Sequence, residues 1–352
     1  MAALTIRAGQ RALDRIRERG LSPSDVHVIP GAAGGPKALG ITGLDQAIFG
    51  EWLPRAPQVR SLIGSSIGSW RFAALMSGDP VRQLERLAEL YTVQSFGPNE
   101  TAAEVTEKSI RFLETLLGEG ARDVLNHPDY RLNILIVRSL GLLERDTPRG
   151  LSLGLMTTVG ANLAGRRFLR PLMERGIVQD ERLAPPTEEL TDFRTHHIPL
   201  TEENLLPSLL ASASIPMVMS GVSGIPGAPE GLYRDGGLLD YHLDLPWRQP
   251  GIVLYPHFTD RVVPGWFDKA LSWRKPNPEH MQDVVLVAPS EEYIDALPDR
   301  KIPDRKDFKR YMGDDETRQA HWREATAESR KLGDEFLDLV DSGRIRDVVQ
   351  PL

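Results

Sequence analysis

The stretch RLNILIVRS, residues 131–139, limits the fold more than any other part of the chain. Alternating apolar and polar residues would mark a strand with one wet face. The unbroken run Ile134 to Val137 marks a strand covered on both faces. DVHVI (25–29), VRSLIG (59–64), GIVLYPHF (251–258) and DVVLVAPS (283–290) are further short apolar runs of the same kind, and RTHHIPL (194–200) is a sixth candidate strand. GLYRDGG (231–237) closes another strand in a turn. Between them lie segments with helical character: 5–19, 39–49, 66–78, 81–93, 101–118, RRFLRPLMERG (166–176) and TEENLLPSLLASAS (201–214), where Thr201 is a suitable N-cap. Residues 314–341 read as one long charged helix. Doubly covered strands alternating with helices predict an α/β fold: three layers, with a mainly parallel central sheet and helices on both faces.

A chain of 352 residues is expected to form a single domain over 1–352, with a catalytic core at about 25–290 and a C-terminal helical segment at about 309–352. The proline- and charge-rich stretch 297–308 is the best candidate linker. With 41% hydrophobic and 26% charged residues the composition is that of a soluble globular protein. A net charge of −7 gives no electrostatic footprint for nucleic acid. The absence of cysteine excludes thiolate nucleophiles, disulfides and cysteine zinc sites. The arginine-bearing N-terminus lacks the apolar core of a signal peptide, so a cytoplasmic location is expected.

Two glycine-rich turns carry the candidate chemistry. The first follows the strand at 25–29 and reads PGAAGGPKALG (30–40). It fails as a nucleotide P-loop, because Pro36 and Ala38 stand where a glycine and a magnesium-binding hydroxyl are needed. It fails as a dinucleotide loop, because Ala33 replaces a glycine. The second, Gly64-Ser65-Ser66-Ile67-Gly68, fits the G-x-S-x-G nucleophile elbow, with a strand before it and a helix after it. Such a turn projects a serine above the sheet, and small residues at Gly64 and Gly68 let strand and helix approach. A third turn, Asp235-Gly236-Gly237 within LYRDGGLLD (232–240), comes at the end of a strand. An aspartate there is a candidate general base, 169 residues from Ser66 and close to it only through folding.

A glycine loop on the first strand, G-x-S-x-G on the next, a helix closing in ASASIP (211–216) and then D-G-G together resemble the patatin-like phospholipase family. The resemblance covers about residues 25–246. It implies a lipid acyl hydrolase working through a Ser–Asp dyad, with Ser66 as nucleophile, Asp235 as base, no metal and no cofactor. It implies an oxyanion hole in Ala33 to Ala38, with the amides of Gly34, Gly35 and Lys37 as donors and Pro36 unable to donate. Two family glycines are alanines here, and LLDYHLDLP (238–246) is longer and more charged than the family's sequence after D-G-G. The partner expected is a lipid or other acyl-ester substrate. Acyl transfer from the same acyl-enzyme, and a non-catalytic lipid- or protein-binding relative, stay open.

Other residues admit two readings. Asp240, His242 and Asp244 would share a face of a strand, as metal ligands can, but solvated loop residues are the favoured reading. His196 and His197 would point opposite ways on a strand and make ordinary hydrogen bonds. His257 could complete a Ser-Asp-His triad. IRFLETLLG (110–118) and the N-terminal helix are candidates for peripheral membrane contact, with core-facing or solvated helices favoured.

Overall fold

The computed structural model of the protein describes residues 2–248 and 251–352. Among the described residues ten strands form one sheet: β1 (Leu4–Ala8), β2 (Val26–Gly31), β3 (Arg60–Ser65), β4 (Tyr130–Ser139), β5 (Met173–Gln179), β6 (Thr195–Pro199), β7 (Leu232–Asp235), β8 (Ile252–Pro256), β9 (Val284–Pro289) and β10 (Gln350–Pro351). Their spatial order is β10-β1-β9-β8-β2-β3-β4-β5-β6, with β7 joined to β4. The centre, β9-β8-β2-β3-β4, is parallel throughout, and antiparallel pairing enters between strands of the sheet at β1–β9, β4–β5 and β4–β7. Every residue of β3, β8 and β9 is buried, so helices cover both faces. The mainly parallel α/β sheet expected from the sequence is the one observed.

The register around β4 positions everything that follows. One edge of β4 pairs with β5 along residues 133–139. The other edge is shared: β3 takes residues 130–135 and β7 takes residues 136–139. β3 runs parallel to β4 and ends with Ser65 opposite Leu135. β7 runs antiparallel and ends with Asp235 opposite Ile136. The two strands therefore run head to head along one edge and stop at adjacent rungs.

Four of the segments read as helical fold differently. Residues 5–19 are a strand and a helix, β1 and Gln10–Arg19, because Leu4, Ile6 and Ala8 alternate with Thr5 and Arg7 at period two. The helical reading of 166–176 gives way to one 3₁₀ turn, Arg166–Leu169, followed by β5. There the strand period is hidden by Glu174 and Arg175, which are buried as ion pairs. Arg175 meets Asp240 and Asp192 at 2.7 Å each, and Glu174 meets Arg138 and His196 at 2.8 Å each. Segment 39–49 is a 3₁₀ turn (Gly35–Ile41), a short helix (Thr42–Ala47) and a π-turn (Ile48–Trp52). The long C-terminal helix is two helices, Asp315–Glu328 and Arg330–Asp341, broken at Ser329. Ser329 Oγ accepts from the Gly43 amide at 2.8 Å, and the second helix crosses Thr42–Ala47 where Gly333 meets Gly43.

Helix Ala102–Leu117 buries Val105, Phe112, Leu113, Leu116 and Leu117, and helix Gln10–Arg19 buries Ala12, Leu13 and Ile16. Both apolar stripes face the core rather than an outside surface. Among the described residues no helix is long and apolar enough to cross a membrane.

The two glycine turns touch. A Cβ on Gly68 would lie 2.0 Å from the Gly31 carbonyl oxygen, and one on Gly64 would lie 2.4 Å from the Ser69 amide nitrogen. Both obstacles are main chain, which a rotamer change cannot relieve. We expect Gly68→Ala to lower stability by about 3 kcal/mol, at the upper end for overpacking. Urea unfolding followed by circular dichroism measures this, and an unshifted midpoint would show that the helix can lift off β2 freely.

Candidate active site

Ser66 sits between β3 and helix Ile67–Met76 with φ 56° and ψ −126°. A non-glycine residue there is strained, and the strain holds because both flanking elements are fixed. Ser66 is 1% exposed and Asp235 is 7% exposed. The head-to-head ends of β3 and β7 bring Ser66 Oγ to 2.8 Å from Asp235 Oδ2, the serine donating. The other carboxylate oxygen, Oδ1, accepts the Gly237 amide at 2.7 Å. This explains the two glycines after the aspartate. A Cβ on Gly236 would lie 2.3 Å from the Leu135 carbonyl oxygen, and one on Gly237 would lie 2.9 Å from Asp235 Oδ1 and 2.8 Å from the Ala33 Cβ. Burial raises the Asp235 pKa, opposed by Arg305, by the Ser66 and Gly237 hydrogen bonds and by Lys269.

The helix Glu202–Ala213 holds both partners from behind. Ser212 Oγ accepts the Ser66 amide at 2.9 Å and donates to the Leu135 carbonyl at 2.7 Å. The Ser214 carbonyl accepts the Asp235 amide at 3.0 Å. Thr201 caps this helix, its hydroxyl accepting from the Asn204 amide. ASAS (211–214) is thus a clamp on the backbone of Ser66 and Asp235, a role its small polar residues do not disclose in sequence.

Opposite lies the glycine loop. Gly34 has φ 176° and ψ −7°, and Gly35 is left-handed at φ 59°. The 3₁₀ turn begins at Gly35, so the amides of Gly34 and Gly35 stand at its open N-terminal end, whereas the amide of Lys37 lies inside the turn, where the i→i+3 pattern uses it. Lys37 itself lies over the Phe258 ring, 4.7 Å from its centroid. Beneath the loop the Arg71 guanidinium of the elbow helix faces Asp45 at 3.2 Å, both buried, and burial pushes the Asp45 pKa up to about 6 against the pull of Arg71.

Two cavities meet at Ser66. One, of about 360 Å³, is lined by Trp70, Tyr91, Phe96, Val105, Met219 and Phe308 among others and is chiefly apolar. The other, of about 350 Å³, is lined by Gly34, Asp235, Tyr241 and a group of cationic side chains. Ser66, Ile215 and Arg305 border both. The stretch 297–308 is therefore no linker: Asp304, Arg305 and Lys306 form part of the cavity wall. Its charge pattern suggested a solvated connection, and only the fold shows what it lies against.

Of the remaining candidates His242 and His257 meet edge to face, with ring centroids 4.3 Å apart, and His242 lines the cavity beside Ser66, while the others pair elsewhere. Asp240 binds Arg175, Asp244 accepts from the Asn277 amide and His280, and His242 stacks on Tyr241 with centroids 4.3 Å apart. Among the described residues no three His, Asp or Glu side chains are grouped to hold a metal. His196 Nε2 meets Glu174 and His197 Nδ1 meets Gln179, each at 2.8 Å. His257 is fully buried, its Nδ1 accepts the Thr259 amide at 3.0 Å, and burial with nearby Lys37 and Arg71 pushes its pKa down to about 3. It makes no hydrogen bond to Asp235, whose carboxylate partners are Ser66 and Gly237.

Replacing Ser212 by alanine leaves the Ser66 amide and the Leu135 carbonyl without their buried partner. The expected loss is about 1–3 kcal/mol of stability, read by chemical denaturation, with Ser212→Thr retaining most of it. A variant as stable as the wild type would mean that the Ser66 amide finds another acceptor.

No protein-family model and no curated protein matches this sequence. Among solved structures the chain is similar to VipD from Legionella pneumophila, at 13% identity and a TM-score of 0.34. The alignment covers 74% of this chain and 54% of that one, so the chain spans about half the length of its structural neighbour. A likeness of this size carries no argument about activity.

Proposed function

We propose that the protein is a serine acyl hydrolase of the patatin-like type, a lipid esterase or phospholipase A cleaving an acyl ester through Ser66 and Asp235. The observation that carries this is the 2.8 Å hydrogen bond from Ser66 Oγ to Asp235 Oδ2 at the junction of two cavities. Asp235 takes the Oγ proton as Oγ attacks the acyl carbonyl. The oxyanion that forms is met by the amides of Gly34 and Gly35, and such donors contribute about 3–4 kcal/mol each. Collapse of the tetrahedral intermediate expels the alcohol, which takes the proton from Asp235. Water then repeats the sequence on the acyl-enzyme, while an acceptor alcohol in place of water would give acyl transfer. The apolar cavity suits the acyl chain, and the alcohol portion leaves through the other.

Ser66→Ala and Asp235→Asn are each expected to lower turnover of acyl esters by about 10³-fold or more, with unchanged circular dichroism. A fluorophosphonate probe should label the wild type and not Ser66→Ala. Wild-type turnover in Ser66→Ala would refute the assignment, and a folded wild type that neither labels nor turns over would favour the binding-protein reading. The acid limb of kcat/KM is expected above the ordinary aspartate value of about 4. Asp235 accepts a proton only when ionised and its pKa is raised, so activity is present above that pKa and lost as pH falls through it.

A further inference from the structure

The second cavity is unusual in its charge. Four separate segments bring cations to it: Lys37 from the glycine loop, Arg261 from the loop after β8, Lys269 from the turn beyond Trp266–Asp268, and Arg305 with Lys306 from the 297–308 stretch. The carboxylates that face it are Asp235, engaged with Ser66, and Asp304, which meets Lys301 at 3.2 Å. Among the described residues none of the five lining cations makes a salt bridge, in a chain whose net charge is −7. Cations from four segments do not converge on one cavity as a by-product of a solvated helix face. Their crowding is felt: burial, then Lys37 and Arg305, push the Lys269 pKa down to about 7.

A neutral histidine also belongs to the wall. His242 is 2% exposed and lines the same cavity. Its Nδ1 lies 3.0 Å from the Val263 amide and 3.3 Å from the Arg261 carbonyl. A main-chain N–H can only donate, so Nδ1 accepts the closer contact and the proton sits on Nε2. Burial, then His257 and Lys37, hold this ring neutral. Its Nε2 has no partner among the described residues and is closed off within the wall, where the ring packs on His257 with centroids 4.3 Å apart, so the cavity's positive charge comes from the cations alone.

The cavity also speaks against a cationic or zwitterionic ligand. The aromatic faces that would receive an ammonium group are taken, with Lys269 Nζ 4.0 Å from the Tyr241 centroid and 5.4 Å from that of Trp266.

We infer that this cavity is the seat of a phosphate monoester carried by the alcohol portion of the substrate, so that the ester cleaved at Ser66 is an acyl ester of a phosphorylated alcohol. The position of the scissile bond rests on the acyl-hydrolase reading above. The charge preference rests on the cavity alone. Arg305, which borders both cavities, then marks the point where the chain turns from apolar to anionic.

The test compares 1-decanoylglycerol 3-phosphate with 1-decanoylglycerol, which differ by the phosphate only. Wild-type kcat/KM is expected to favour the phosphate by about tenfold or more. Arg261→Gln and Lys269→Met should each reduce that ratio by about tenfold, whatever happens to absolute turnover. Direct binding by calorimetry to Ser66→Ala gives a second readout without catalysis. Tighter binding of the phosphate ester there, with no hydrolysis by the wild type, would retain the inference and refute the hydrolase. Hydrolysis of both esters at equal kcat/KM, or a ratio unmoved in both variants, would overturn the inference and leave the hydrolase standing.

Discussion

The site depends on one edge of one strand. β4 offers residues 130–135 to β3 and residues 136–139 to β7, so two strands that enter from opposite ends terminate on neighbouring rungs. Ser66 and Asp235 are the first and last residues beyond and at those ends, and their contact follows from register rather than from any affinity between the two side chains. A one-residue slip of β7 would carry Asp235 away from Ser66 and turn its carboxylate to the other face. The register is held by burial on both faces of β4 and by the ASAS clamp, which grips the backbone at Ser66 and at Asp235 from a single helix.

The second constraint is close approach. Gly31, Gly64, Gly68 and Gly236 each occupy a place where a Cβ would meet main chain at 3.0 Å or less. They let the elbow helix lie on β2 and the Asp235 turn lie on β4. The glycine loop that faces Ser66 is held in the same way from the far side, where the Ala33 amide donates to the Tyr241 carbonyl at 2.9 Å. Rigid main chain thus surrounds Ser66 on three sides.

Much of this was legible in the sequence because its signals are local. Unbroken apolar runs gave β2, β3, β4, β8 and β9 to within a residue or two, and the spacing of Gly64, Ser66 and Gly68 marked the turn that holds the elbow serine. What escaped is non-local. β5 looked unlike a strand because Glu174 and Arg175 are charged, and their partners Asp240, Asp192, Arg138 and His196 arrive from elsewhere in the chain. Arg305 could not be placed because nothing in a run of prolines and charges says which cavity it faces. Ser212 looked like one more small residue, since its role lies in accepting an amide 146 positions away. The general pattern is that backbone needs, such as strain and close approach, leave a mark in residue type, whereas long-range pairing of polar groups leaves none.

The shared edge of β4 has a consequence for how the molecule is made. Both β3 and β7 reach β4 only across long intervening segments, from Ser65 to Tyr130 and from Ser139 to Leu232, and both must be closed before the shared edge is complete. Until both strands are seated, Ser66 has no carboxylate beside it. A nascent or partly folded chain therefore lacks the Ser66–Asp235 contact, which comes into being together with the completed sheet.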